Sequence, residues 1–252
     1  TQNTAVSETD ADDTLLSVPV RTIAGQQDLS RQAIERGTGI DTFVVADLIR
    51  SWHTTVDAQV LNGTGSNGQF KGIANSGGNA ITFSATTPTV ALLYPKLADA
   101  IQQIQSNVFE TPTHWIMHPR RLAFLLAATD TTGRPLVVPT ANGPMNAAGV
   151  GVGAAGYGNS GYQMLGLPII ADANVATNIG AATNQDQIFC VAAPEMHLWE
   201  QPGSPFALSF DATGASSLTI KSVVYGFGAF TAERYPKAAS IINGVGLVAP
   251  TF

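Results

Sequence analysis

DTFVVADLIRSWHTTVDAQVLNGTGSNGQFKG (residues 41–72) decides the reading of this chain: a long amphipathic helix running into a glycine-punctuated loop. Ile40, Val44, Leu48, Trp52, Val56 and Val60 recur every four residues, and Phe43, Val45, Ile49 and Leu61 widen the row into a stripe broad enough to face a sheet. Asp47, Arg50, His53, Thr54, Asp57 and Gln59 fall on the other side, with Asp47/Arg50 and His53/Asp57 at pairing distance along a helix. Thr38 and Asp41 supply start signals, and Asn62-Gly63 a left-handed stop. The predicted helix, residues 41–61, is roughly 32 Å long at 1.5 Å per residue, about the diameter of a small domain. Val44, Val45, Ile49, Thr54, Thr55 and Val56 are β-branched, so tertiary packing rather than propensity must hold this spine.

Composition sets the class. The 252 residues are 44% hydrophobic, ample for a sizeable core, but only 12% charged, about half the usual share. Much of the surface must therefore be neutral, which suggests contact with other subunits. Twelve Lys+Arg against eighteen Asp+Glu give −6, which argues against tight or sequence-specific binding of nucleic acid through a basic face. No apolar run is long enough to span a membrane, and no signal peptide is recognisable. Thr1 in place of Met reads as processing or truncation. The single Cys190, inside Ile188-Phe189-Cys190-Val191, excludes an internal disulfide and reads as a buried strand thiol, not a nucleophile.

Along the chain, residues 1–14 are polar and acidic and read as an extended or mobile segment. Leu15–Ile34 alternates weakly, predicting a long strand that leads into a helical turn at residues 28–32. After the spine, residues 62–68 form a tight turn. Its glycines resemble a phosphate loop, but it follows a helix instead of opening one and lacks the Gly-Lys-Ser/Thr ending. Asn62-Gly63-Thr64 also fits a glycosylation sequon, which means little without a secretory context. Pro88–Val108 carries Val90, Leu93, Leu97, Ala100, Ile101 and Ile104 at helical spacing, with Pro95 tolerated only in a first turn. Residues 113–118 predict a strand, 119–128 a third helix and 130–135 a turn. His114 and His118 have the spacing of a helical zinc pair, but on a strand they lie roughly 13 Å apart, too far to share one ion.

Residues 139–163 are the most loop-like tract. Gly151-Val152-Gly153-Ala154-Ala155-Gly156 matches the dinucleotide fingerprint by letter, with no strand before it and no helix pattern after it. Residues 164–170 and 188–192 predict buried strands, His197-Leu198-Trp199-Glu200 precedes a break at Pro202-Gly203, and 206–210, 217–234 and 239–248 predict three more strands. Helices and strands without a βαβ rhythm mean α+β. No Gly-x-Ser-x-Gly elbow, His-Glu-x-x-His or complete phosphate loop is present, so nothing nominates a catalytic residue, a metal or a cofactor, and an enzyme of an unrelated α+β fold is the weakest reading.

Five landmarks in order carry a resemblance: the spine ending in Leu61-Asn62-Gly63-Thr64-Gly65 with Gly72-Ile73 behind it; the corner His118-Pro119-Arg120-Arg121; Asp130 to Leu136; Leu165-Gly166-Leu167-Pro168-Ile169-Ile170; and Ala232-Glu233-Arg234-Tyr235-Pro236. In these the chain resembles the major capsid proteins of tailed bacteriophages, the Hong Kong 97-type fold that encapsulin shells share. The resemblance implies a structural subunit, not an enzyme, that joins pentamers and hexamers of itself in an icosahedral shell around a double-stranded DNA genome. The shell would be assembled in the bacterial host cytoplasm, with scaffold, portal and maturation protease as possible partners. An encapsulin-type compartment around cargo protein is the alternative. The implied division is 1–20 as the remainder of an extended hairpin loop, 21–110 as a peripheral domain, 111–203 as an axial domain with an axial loop at 139–163, 204–234 as a return to the periphery, and 235–252 as a C-terminal axial strand. By the same resemblance the chain starts on the returning strand of the hairpin loop. Thr219 and Gly226 stand where crosslinking relatives carry an asparagine and a glutamate, so that chemistry is expected to be missing.

Overall fold

The computed structural model describes residues 14–37, 39–127, 159–214 and 218–250. Its centre is the predicted spine, the 23-residue helix α2 (Ile40–Asn62), which follows strand β1 (Arg21–Ser30) and a short helix α1 (Arg31–Arg36). Trp52, Val56 and Leu61 are buried, and Leu48, Ile49 and Val60 pack against the same cluster. Phe43, predicted in the stripe, is instead 73% exposed. It lies nine residues before Trp52, two and a half turns at 3.6 residues per turn, and so points to the opposite side of the helix. Leu61, nine residues after Trp52, shares that far side but is buried, because the chain wraps the last turn there: Asn62 donates to the Asn174 carbonyl at 2.7 Å and accepts from the Ala176 N–H at 3.2 Å.

The ends of α2 differ from expectation. Gly39, at φ 80°, takes the capping position with no side-chain cap; Asp41 sits in the first turn and Thr38 lies outside the described residues. Gly63 is not left-handed but at φ −54°, ψ 142°. It is glycine for want of room: a Cβ there would sit 2.3 Å from the Phe70 carbonyl oxygen and 2.5 Å from that of Gln59.

The spine lies across a four-stranded sheet whose hub is β9 (Thr219–Thr231). It pairs antiparallel with β1 along its length and with β7 (His197–Glu200) and β8 (Phe206–Gly214). Strand β1 begins at Arg21, and the helical turn expected at residues 28–32 starts only at Arg31, because Asp28, Leu29 and Ser30 stay paired with Lys221, Ile220 and Thr219.

A second, six-stranded sheet has the order β2-β10-β6-β3-β5-β4, built from β2 (Asn79–Thr82), β3 (His114–Met117), β4 (Asn159–Met164), β5 (Leu167–Ala171), β6 (Ile188–Val191) and β10 (Ala239–Asn243). Helix α3 (Val90–Val108) covers it with the predicted stripe; Leu93, Leu97, Ala100 and Ile104 are fully buried. Pro95 sits in the second turn of α3, not the first. Its face is exposed, so the Ala91 carbonyl that loses its partner can turn to water. Residues 164–170 form a hairpin instead of one strand. Leu165 and Gly166 both have positive φ (52° and 80°), and Met164 pairs with Leu167. That is the two-residue turn whose twist suits a hairpin, and a period-two reading missed it because leucine is an unusual occupant. The tract expected to be loop to residue 163 gives way to β4 at Asn159. Residues 1–13, the Asp130–Leu136 motif and the glycine run 151–156 lie outside the described residues.

Sheet membership cuts across the chain. β2 and α3, both before residue 111, belong to the six-stranded sheet, while β7, before residue 204, belongs to the four-stranded one. The described residues form a mixed helix-and-sheet fold with two cores, one under α2 and one under α3.

Candidate functional site

Among the described residues, the corner between β3 and helix α4 (Pro119–Ala127) brings two arginines onto one buried carboxylate. His118 is the cap: its Nδ1 accepts from the Arg120 N–H at 3.1 Å and its carbonyl from Arg121 at 2.8 Å, with Pro119 as the first helical residue. Asp186, fully buried between β5 and β6, accepts from Arg120 Nε at 2.6 Å and from Arg121 Nε and Nη2 at 3.2 and 3.0 Å. Arg121, also fully buried, gives a further Nη2 bond to the Val248 carbonyl at 2.8 Å and lies over the Phe124 ring. One carboxylate therefore ties the start of α4 to the segment before β6 and, through Arg121, to the chain after β10. Sequence reading found the corner but not the hub. A signal was there: two arginines in a first helical turn oppose the helix dipole and call for a carboxylate.

His118 has a pKa below its ordinary value, because burial and the adjacent Arg120 outweigh the carboxylates of Asp186 and Asp172. The folded state then binds fewer protons than the unfolded chain once pH falls through about 6.5, so this stability is present above that pH and lost below it. The neutral ring also serves as acceptor in the cap. We expect His118→Asn, which keeps a capping oxygen, to lose less melting temperature than the parent between pH 7.5 and 5.5; equal losses would remove His118 as the cause.

The loop after the spine is a clasp. Gly72 donates to the Gly63 carbonyl at 2.9 Å and Asn75 Nδ2 to the same carbonyl at 2.8 Å; a Cβ on Gly72 would lie 2.6 Å from the Gln59 oxygen and the Gly63 nitrogen. Both glycines allow backbone to meet backbone at the helix end, which is a structural use. His114 is paired on β3 and is not brought to His118; among the described residues no three metal-ligating side chains gather. Cys190 is fully buried and burial alone pushes its thiol up to about 12, so it is an inert core residue. Gly226 lies under Trp52: a Cβ there would sit 2.6 Å from the ring, so no glutamate fits.

What remains is surface. On the face of the four-stranded sheet turned away from α2, Phe206 meets Tyr225 at a tilt, Tyr225 meets Phe227 edge to face, and His197 stacks on Trp199. Trp199 (52%) and Phe227 (37%) are exposed there, and elsewhere Phe43 on α2 and Phe109 (90%) at the end of α3 are exposed as well. Large apolar side chains left open on a chain this poor in charge fit a molecule made to be covered by others.

The sequence model of the phage capsid family matches residues 1–200. This chain belongs to the phage capsid family. Like other members it is a structural capsid protein. No curated protein sequence matches it. Among solved structures the fold is similar to that of Gordonia phage Cozz, with a TM-score of 0.66 at 12% identity over 97% of this chain and 79% of that one. The capsid of an empty GTA particle gives 0.69 at 12% identity over 97% and 79%. The SrpI encapsulin complex of Synechococcus elongatus gives 0.62 at 11% identity over 92% and 76%. As a capsid family fold, the molecule carries the Hong Kong 97-type arrangement that its landmarks implied. None of the described helices is long and apolar enough to cross a membrane.

Proposed function

We propose that this capsid protein closes into an icosahedral shell of pentamers and hexamers around a double-stranded DNA phage genome. The observation that carries the reading is the capsid-family match over residues 1–200. The four-stranded sheet with α2 would form the peripheral domain and the six-stranded sheet with α3 and α4 the axial one, with residues 139–163 near the capsomer centre. Assembly would take place in the host cytoplasm, with scaffold, portal and maturation protease as partners. The subunit would act through contacts between copies, as a structural protein of the phage capsid family. The likeness to an encapsulin supports a second reading, a shell around protein cargo.

Electron microscopy of particles purified from expressing cells, with nuclease-protected DNA and co-purifying protein assayed on the same fractions, decides between them. The expected result is closed shells, DNA protected when the neighbouring packaging genes are present, and one band near 26.2 kDa after boiling in detergent. The single band follows from Thr219 and Gly226, which offer no asparagine or glutamate for a crosslink. A stoichiometric cargo protein without DNA would favour the compartment, and a reductant-resistant ladder would mean a crosslink elsewhere.

A further inference from the structure

Residues 17–19, the loop 63–72 and the end of β9 enclose a cavity of about 110 Å³ lined in part by Arg21, Phe70, Lys71, Phe230 and Glu233. At about 30 Å³ per water, this holds roughly three or four waters or one small anion. Two of the chain's twelve cationic side chains converge here. Lys71 is paired with Glu233. Arg21 is only half satisfied: Nη2 donates to the Gly65 carbonyl at 3.2 Å, while Nε is buried and has no partner among the described residues. A buried guanidinium N–H without an acceptor is costly, and the cavity beside it leaves space for one. Nε and Nη2 share one edge of the guanidinium, the edge on which a carboxylate or phosphate oxygen pair docks. Arg21 and Lys71 against Glu233 leave one net positive charge.

We propose that this cavity is a binding site for a single oxyanion, seated on the Arg21 Nε edge with Lys71 as the second cation. A carboxylate and a phosphate share that chemistry, and Glu233 in the wall favours the monoanion. The anion comes either from solution or from an acidic side chain of a second copy.

The test is the melting temperature of the full chain at constant ionic strength, with acetate or inorganic phosphate replacing chloride, repeated over a series of protein concentrations. A saturable rise of about 2–4 °C with either anion is expected for the parent and for Arg36→Gln, an exposed arginine elsewhere, and is expected to vanish in Arg21→Gln. A rise that follows protein concentration instead, and also vanishes in Arg21→Gln, assigns the carboxylate to a second copy. No rise in any arm, or one undiminished in Arg21→Gln, overturns the proposal. Should Arg21→Gln not fold, the Arg21 Nε–H resonance of the parent decides: it shifts saturably with acetate or phosphate if the site exists and stays fixed if it does not.

Discussion

Asp186→Ala is expected to destabilise the subunit by about 3–5 kcal/mol, because it leaves Arg121 as an uncompensated charge in the core. Arg121 and Asp186 are both fully buried, and Arg121 Nη1 already has no partner among the described residues. The carboxylate is also the one acceptor that Arg120 and Arg121 share. Breaking the group is costly even though making it is not strongly favourable, since two charges had to leave water. The double variant Arg121→Met/Asp186→Leu is therefore expected to recover much of the loss. Denaturant unfolding of the three proteins checks this. An Asp186→Ala midpoint close to that of the parent, or a double variant no better than the single one, would show that the hub is not held by charge.

Trp52→Ala should cost a similar amount, about 3–5 kcal/mol, through the cavity left between the spine and the sheet. Trp52 lies across the pair Ile23/Gly226: its Nε1 donates to the Ile23 carbonyl at 3.0 Å, and its ring occupies the space a side chain on Gly226 would need. Two consequences follow from this geometry. Trp52→Phe should lose less, since it keeps most of the buried area and gives up one hydrogen bond worth about 0.5–1.5 kcal/mol. Gly226→Ala should be destabilising in the parent but milder in the Trp52→Ala background, where the ring is gone. Thermal melts of the four variants test it. Additive losses from Trp52→Ala and Gly226→Ala would mean that the two residues do not meet.

The sequence by itself determined those features that depend on local spacing. The apolar rows of α2 and α3 predicted both helices to within two residues, since a buried stripe at helical period is read without knowing its partner. The core strands Ile188–Val191 and His114–Met117 were legible because runs of large apolar residues have little use but burial. The Asn62-Gly63 and Gly72-Ile73 landmarks placed the loop correctly while giving the wrong reason for Gly63, since a glycine that prevents a clash and one that permits a left-handed turn look the same in one dimension.

Only the tertiary structure decided which side of α2 is covered at each end. A row repeating every four residues drifts around a helix of 3.6 residues per turn, so Phe43 and Leu61 share a side on which one is exposed and the other is buried at the turn where Asn62 bonds Asn174 and Ala176. It also decided that Asp186 meets Arg121 across 65 residues, and that Gly226 is small because Trp52 lies on it. Both pairings join segments far apart in the chain, where neither propensity nor period carries information, and the favourable energy of each exists only once the two sheets and the helices between them have closed.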